Sequence, residues 1–262
     1  MMRALYTGAA GMAAQQFNID TISNNIANVN TAGFRGNQAR FQDLIYTQLR
    51  AAGTPVGSSV VPVATEVGLG VKVSSSEKIF TQGTVQQTNN PLDVAIDGDG
   101  FFQVTKPDGS LAYTRDGSFN RDANGAIVTA DGYFLNPQIA VPQSALQVAV
   151  GNDGSVTAVL PGQTAPQQLG QIQIARFTNA AGLAPTGQNL FTQTGASGSP
   201  VISQPGINGA GTLQGGYIED SNVSVVDQMV AMITAQRAFE ANSKSVTTAD
   251  QMLQTAVQTK SP

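Results

Sequence analysis

Residues 23–36 read SNNIANVNTAGFRG, and the fold turns on how far the helix-like spacing that begins upstream runs into them. Leu5, Met12, Ile19 and Ile26 fall seven apart, and Ile22 and Val29 each sit three beyond one of them, so an apolar seam follows one side of a helix. Gly33 stands where such a helix can terminate. The rest of its surface is unusual for a solvated helix. Residues 1–34 carry only Arg3 and Asp20 as charges, while Gln15, Gln16, Asn18, Asn24, Asn25 and Asn28 occupy much of the non-seam surface. Carboxamides donate and accept hydrogen bonds without the desolvation cost of an ion, so such a helix can be enclosed by like neighbours on several sides. Each Asn also costs about 0.5 kcal/mol or more of helix propensity. Alone the segment is marginal, and it is expected to become ordered on assembly.

The other end of the chain repeats the pattern. Val225, Met232, Phe239, Val246 and Leu253 keep the seven-residue spacing, and Ala235, Ala249 and Ala256 follow members of that seam by three, leaving room for a neighbouring backbone. Ser224-Val-Val-Asp227 has the spacing of a capping box, with its acidic residue near the positive helix end. A helix over 224–258 would be about 50 Å long. The two ends are suited to helical packing, and a helical hairpin within one globule is the simplest form that packing can take.

Between them the sequence changes character. In KPDGSLAYTRDGSFNRDANGAIVTADGYFLNP (106–137) the pairs Asp108-Gly109, Asp116-Gly117, Asn124-Gly125 and Asp131-Gly132 recur every seven or eight residues, the rhythm of tight turns joining short strands in a meander. Alternation agrees: Leu92, Val94 and Ile96 share a face, as do Leu146, Val148 and Val150, then Val156, Ala158 and Leu160, then Ile172 and Ile174. The stretch 51–76, AAGTPVGSSVVPVATEVGLGVKVSSS, reads as a flexible linker or as an extended hairpin that could serve as a contact element. The reading is α+β: discontinuous N- and C-terminal helices packed coiled-coil-like, with a mainly antiparallel β domain between them. The expected parts are 1–35 with 216–262 as a terminal helical domain, 36–80 as an extended connector, and 81–215 as a β-rich outer domain.

Composition excludes much chemistry. The chain of 262 residues has no Cys, His or Trp, which removes thiol nucleophiles, imidazole bases and zinc sites built on Cys or His. A formal charge of −4 with scattered basic residues offers no stripe for a phosphate backbone, so no nucleic acid partner is expected. No run approaches a membrane span, and the N-terminus lacks a secretory apolar core. Asp97-Gly98-Asp99-Gly100 lacks the later ligands of a calcium loop and the third glycine of a dinucleotide fingerprint, so a turn suffices. Asp116, Asp122 and Asp131 could form a carboxylate pair for glycan chemistry, but their contexts are those of turn formers. Asn222-Val-Ser224 matches a glycosylation acceptor and reads more simply as the approach to the helix cap. No catalytic, cofactor-binding or metal residue is assigned.

Three stretches carry a family resemblance. ALYTGAAGMAAQQFNIDTISNNIANVNTAGFRG (4–36) resembles the N-terminal signature of the axial proteins of the bacterial flagellar rod and hook. GYIEDSNVSVVDQMVAMITAQRAFEANSKSVTTADQMLQ (216–254) is similar to its C-terminal counterpart, and DVAIDGDGFFQV (93–104) followed by AYTRDGSF (112–119) is similar to the middle. Asn25, Asn28, Gly33 and Phe34 fall in the first signature; Ser221, Asn222, Arg237, Glu240 and Asn242 fall in the last. Thr65-Glu-Val-Gly-Leu-Gly-Val71 together with AYTRDGSF is most like the distal-rod branch, with the proximal rod the alternative.

The resemblance implies a non-enzymatic subunit of a hollow helical tube, with terminal helices inside, the β domain outside, and a stiffening role for 51–76. It implies export by the flagellar type III apparatus without a cleaved signal, and a place in the basal-body rod across the periplasm. The partners it implies are further copies of the chain, proximal rod proteins, the hook protein, a rod-cap assembly factor, and the P-ring and L-ring proteins. The expected self-assembly interface comprises Leu5, Met12, Ile19, Ile22, Asn25, Ile26, Asn28, Gly33 and Phe34 at one end. At the other end it comprises Asn222, Val225, Met232, Arg237, Phe239, Asn242, Val246 and Leu253. A secreted β-domain adhesin or a carboxylate-based glycan enzyme with oligomerising helices is the reading from a different class.

Overall fold

The computed structural model describes residues 2–259 apart from 54, 57, 58, 61 and 164; four of these lie in the 51–76 stretch, where the expected hairpin thus falls partly outside the described residues. The fold is α+β, with the two terminal helices packed together and mainly antiparallel β structure between them in sequence. It divides into two compact units. One comprises Met1–Ala27, Asn37–Glu77 and Ser224–Pro262; the other comprises Asn28–Gly36 and Lys78–Val223.

In the first unit α1 spans Met2–Ala27 and α2 spans Val225–Gln258. Ser224 caps α2, its side chain accepting from the Asp227 backbone N–H at 3.4 Å, as the capping-box spacing predicts. The helices run antiparallel: Gly8 faces Val246, Gly11 faces Asn242, and Asn25 bonds Gln228, so positions rise on one helix as they fall on the other. A Cβ on Gly8 would stand 2.6 Å from Val246 Cγ2, a distance no side chain tolerates. Glycine there is what lets the axes approach.

The helix stops earlier than Gly33. The Asn28 carbonyl accepts from the Thr31 backbone N–H at 3.2 Å and its Oδ1 from the Thr31 hydroxyl at 3.3 Å, so a turn closed by backbone and side chains follows the last helical residue, Ala27. Val29 therefore lies past the end of the seam. Gly33, at φ +67°, sits in the following turn, and a Cβ there would lie 2.5 Å from the Asp116 backbone nitrogen.

Within residues 37–78 the described strands form a two-stranded ribbon in three successive pairings. Asn37–Asp43 pairs with Val71–Lys78, Tyr46–Arg50 pairs antiparallel with Thr65–Gly68, and Pro55–Val56 pairs with Ser59–Val60. Pairing thus begins well upstream of residue 51. The ribbon lies along α1, where a Cβ on Gly70 would stand 3.3 Å from the Ala10 Cβ and 3.5 Å from the Thr7 Cα.

The second unit holds the larger sheet. Its order is Asn120–Arg121, Ile127–Val128, Phe134–Leu135, Phe101–Thr105, Leu111–Thr114, Leu190–Thr192, Ala184–Gly187; Ile174–Arg176 shares the edge of Phe101–Thr105 and carries Val201–Ser203. Three of the four Asp/Asn-Gly pairs make hairpin turns, at Asp108-Gly109, Asn124-Gly125 and Asp131-Gly132. Asp116-Gly117 does not: Leu111–Thr114 and Asn120–Arg121 are not neighbours, and Gly117 lies so close to the Val94 carbonyl that a Cβ has no room. The meander is one hairpin followed by a three-stranded run of two more, closed when Phe134–Leu135 returns to pair with Val104 and Thr105.

Val94, Ala95 and Ile96 are all buried, because this strand is covered on both faces and needs no polar side. The main core joins Val94, Ile96, Phe102, Phe119, Ile127, Leu135, Val156, Ile172, Ile174 and Leu213. A second cluster packs Phe101, Tyr113 and Phe191 with the half-buried Phe80 and Phe177, edge to face.

Candidate assembly interface

Helix α2 has an inner row along its length and an exposed apolar stripe near its N-terminal end. Its inner row is Val225, Gln228, Met232, Ala235, Phe239, Asn242, Val246, Ala249 and Leu253, spaced alternately by three and four; Ala235 and Ala249 are buried and the others half-buried. Ala256, the next small residue in the series, is exposed. The outer face carries Val226, Met229, Val230 and Ile233, exposed by 71, 53, 57 and 58%. These lie at i, i+3, i+4 and i+7, which makes one continuous stripe. Covering such a side chain is worth about 1.5–3 kcal/mol, which makes the stripe a candidate contact surface.

On α1 the period of the seam agrees with the sequence reading but its centre is displaced. Gly8, Gln15 and Ile22 form the middle row, Ile22 being 5% exposed, while Leu5, Met12, Ile19 and Ile26 flank it half-buried. Ala14 is buried as well. Met2 and Tyr6 remain exposed.

Among the carboxamides of α1, Asn25 is enclosed, at 3% exposed. Its Oδ1 accepts from the Asn37 backbone N–H at 2.8 Å, and its Nδ2 donates to the Asn37 carbonyl at 2.8 Å and to Gln228 Oε1 at 3.1 Å. One side chain acts like a strand neighbour to the first residue of the ribbon while tying α1 to α2. No charged or apolar residue can present that pair of groups.

In the second unit the two signature ends meet. Glu219, fully buried, accepts from Arg35 Nη2 at 2.6 Å, Arg115 Nε at 2.9 Å and the Gly83 backbone N–H at 2.9 Å, and its own carbonyl accepts from the Gly33 N–H at 2.8 Å. Asn222 accepts from the Gly36 N–H at 2.8 Å and donates to the carbonyls of Ile79 at 2.8 Å and Thr81 at 3.1 Å. Its amide nitrogen is committed to the fold. The half-buried Phe34 ring stacks under the Lys78 ammonium, 5.1 Å from the ring centroid. Ser221 is buried beside this junction, whereas Arg237 and Glu240 form an exposed pair at 3.0 Å on α2.

The acidic turn residues do turn work: Asp116 Oδ1 accepts from the backbone and hydroxyl of Ser118, and Asp122 Oδ1 from the backbone N–H of Asn124 and Ala126. Among the described residues no helix is long and apolar enough to cross a membrane.

Sequence reasoning passed over the outer stripe and the Arg35–Glu219–Arg115 cluster. The stripe had a signal, the 226/229/230/233 spacing, hidden because the inner seam was read first. The cluster had none, since its members are far apart in the chain.

Three family profiles match, in chain order: "Flagella basal body rod protein" over residues 5–35, "Flagellar hook protein FlgE/F/G D1 domain" over 95–158, and "Flagellar basal body rod FlgEFG protein C-terminal" over 214–259. The flagellar basal-body rod protein FlgG of Buchnera aphidicola is 47% identical across 97% of this chain and 98% of its own length. That of Borreliella burgdorferi is 48% identical across 97% of each chain. The flagellar hook protein FlgE of Helicobacter mustelae is 47% identical, but over 52% of this chain and 30% of its own length.

Proposed function

This chain belongs to the flagellar basal-body rod protein family, and from that premise we propose that it is a distal-rod subunit which polymerises into a hollow helical drive shaft and carries torque from motor to hook. It is a structural component of the flagellar basal body, and the proposed role calls for no catalysis. The observation that carries the proposal is the outer stripe of α2: Val226, Met229, Val230 and Ile233 stay exposed on a helix whose opposite face is already packed. Each copy offers a surface that only another molecule can cover, which is the requirement for an open, heterologous helical array. Stiffness follows when many packed contacts must be strained together to twist the shaft.

Assembly extends to the partners such a shaft meets: proximal rod proteins below, the hook protein above, a rod-cap factor at the growing end, and the P-ring and L-ring proteins around it. Delivery is by the flagellar type III apparatus, with the rod crossing the periplasm. The interface combines the α2 stripe with the flanking residues Leu5, Met12, Ile19 and Ile26, the exposed Arg237, and 51–76 of the ribbon. Changing Ile26 would disturb the chain's own helix pair, so Ile233 is the cleaner test. Ile233→Asp is expected to leave the monomer's melting temperature unchanged and to abolish its incorporation into basal bodies, with loss of swimming. Normal incorporation of that variant refutes the stripe as an interface.

A further inference from the structure

We propose that the β-rich unit contains an oxyanion site in the cavity walled by Arg35, Arg115 and Arg176, and that its ligand is an anion of the phosphate or carboxylate class. The cavity measures about 300 Å³ and is lined also by Gln82, Asp99 and Thr178 on its polar side and by Phe80, Phe101 and Phe177 on its apolar side. Charge there does not balance. Three guanidiniums and Lys78, which donates to the Arg35 carbonyl, stand against three carboxylates: Asp99 in the wall, Glu219 behind it, and Asp97, which accepts from the wall residue Gln82 at 3.4 Å.

The least satisfied group is Arg35. Its side chain is 1% exposed; Nη2 bonds Glu219, while Nε and Nη1 are buried with no hydrogen-bond partner. Two unpaired donors on a buried cation are costly, and Glu219 alone compensates the Arg35 charge beside the cavity. Arg115 is held rigidly, Nε on Glu219 and Nη1 on the carbonyls of Gly98 and Gly100, and burial pushes its pKa down. Arg176 is anchored to the Asn208 carbonyl. The guanidiniums are thus fixed before any ligand arrives, and planar N–H forks match oxyanion geometry better than any other side chain. An entering monoanion neutralises the excess charge in a wall of lowered dielectric, where each contact counts for more.

The same chemistry has two sources, a free phosphate ion or a carboxylate borne by a protein side chain, for which acetate is the probe. The test is calorimetric unfolding of the full-length monomer in phosphate, acetate or chloride at matched ionic strength. A saturable rise in the melting temperature of the β-rich unit beyond that in chloride is expected, because the ligand binds the folded state alone. Half-saturation at lower phosphate than acetate assigns the free ion; the reverse assigns the side-chain carboxylate. Arg176→Gln should weaken apparent affinity about tenfold or more, the loss of one charge-assisted contact. Asp99→Asn removes an exposed carboxylate from the wall and should tighten binding, so the proposal stays testable if the arginine variant folds poorly. No saturable response to either anion in the wild type or in Asp99→Asn overturns the site, as does a response that Arg176→Gln leaves unchanged.

Discussion

At Asn25 the choice of residue follows from the two groups it must face. The Asn37 N–H and C=O both point at it, and Gln228 offers a carbonyl oxygen, so the side chain needs an acceptor and a donor in one plane. Asn25→Asp keeps the shape and removes the donor, setting carboxylate oxygens against two acceptors at a buried position. A buried group stripped of its partner costs about 1–3 kcal/mol, more when charged. The variant should therefore lose at least that much stability in the helical unit in urea unfolding near neutral pH; unfolding indistinguishable from wild type contradicts the bonding described. From the sequence, the abundance of carboxamides and their suitability for enclosure were legible, yet not which one was enclosed, because Asn37 becomes a neighbour only when the ribbon folds back. Arg35 and Glu219 were illegible for the same reason, being 184 positions apart.

For the helices, periodicity sufficed to locate both, and for α2 also its cap and inner face. It gave α1 a seam of the right spacing with a displaced centre, since large apolar residues draw the eye and the central row here includes Gly8 and Gln15. Close approach, not side-chain volume, defines that contact. Gly8→Leu would drive a side chain into Val246, and overpacking of this kind costs about 1–3 kcal/mol. Far-UV circular dichroism on heating should show the helical signal lost at lower temperature, with the near-UV signal of the aromatic β cluster melting as before. An unchanged helical transition would mean that the helices do not pack through Gly8. The strands were legible as turns and alternation, but their order was not: Asp116-Gly117 has the same sequence signature as the three hairpin turns and differs only in the crowding by Val94.

For the molecule as a whole, what matters is the surface left after both units have satisfied themselves. The β-rich unit closes its core around Val94, Ile96, Phe102 and Ile174, all at or near zero exposure. The helical unit buries few large side chains and leaves Val226, Met229, Val230 and Ile233 outside. Such an imbalance suits a polymer subunit, and it was only half visible in the sequence, where over residues 225–233 the inner and outer rows of α2 are both apolar and only the partner helix tells them apart. Because the chain has no cysteine, a single thiol at Val230→Cys reports on this surface alone. Maleimide labelling of the purified monomer and of isolated basal bodies should show ready modification in the first and protection in the second. Equal labelling of the two would contradict the assignment of α2's outer face to contacts between subunits.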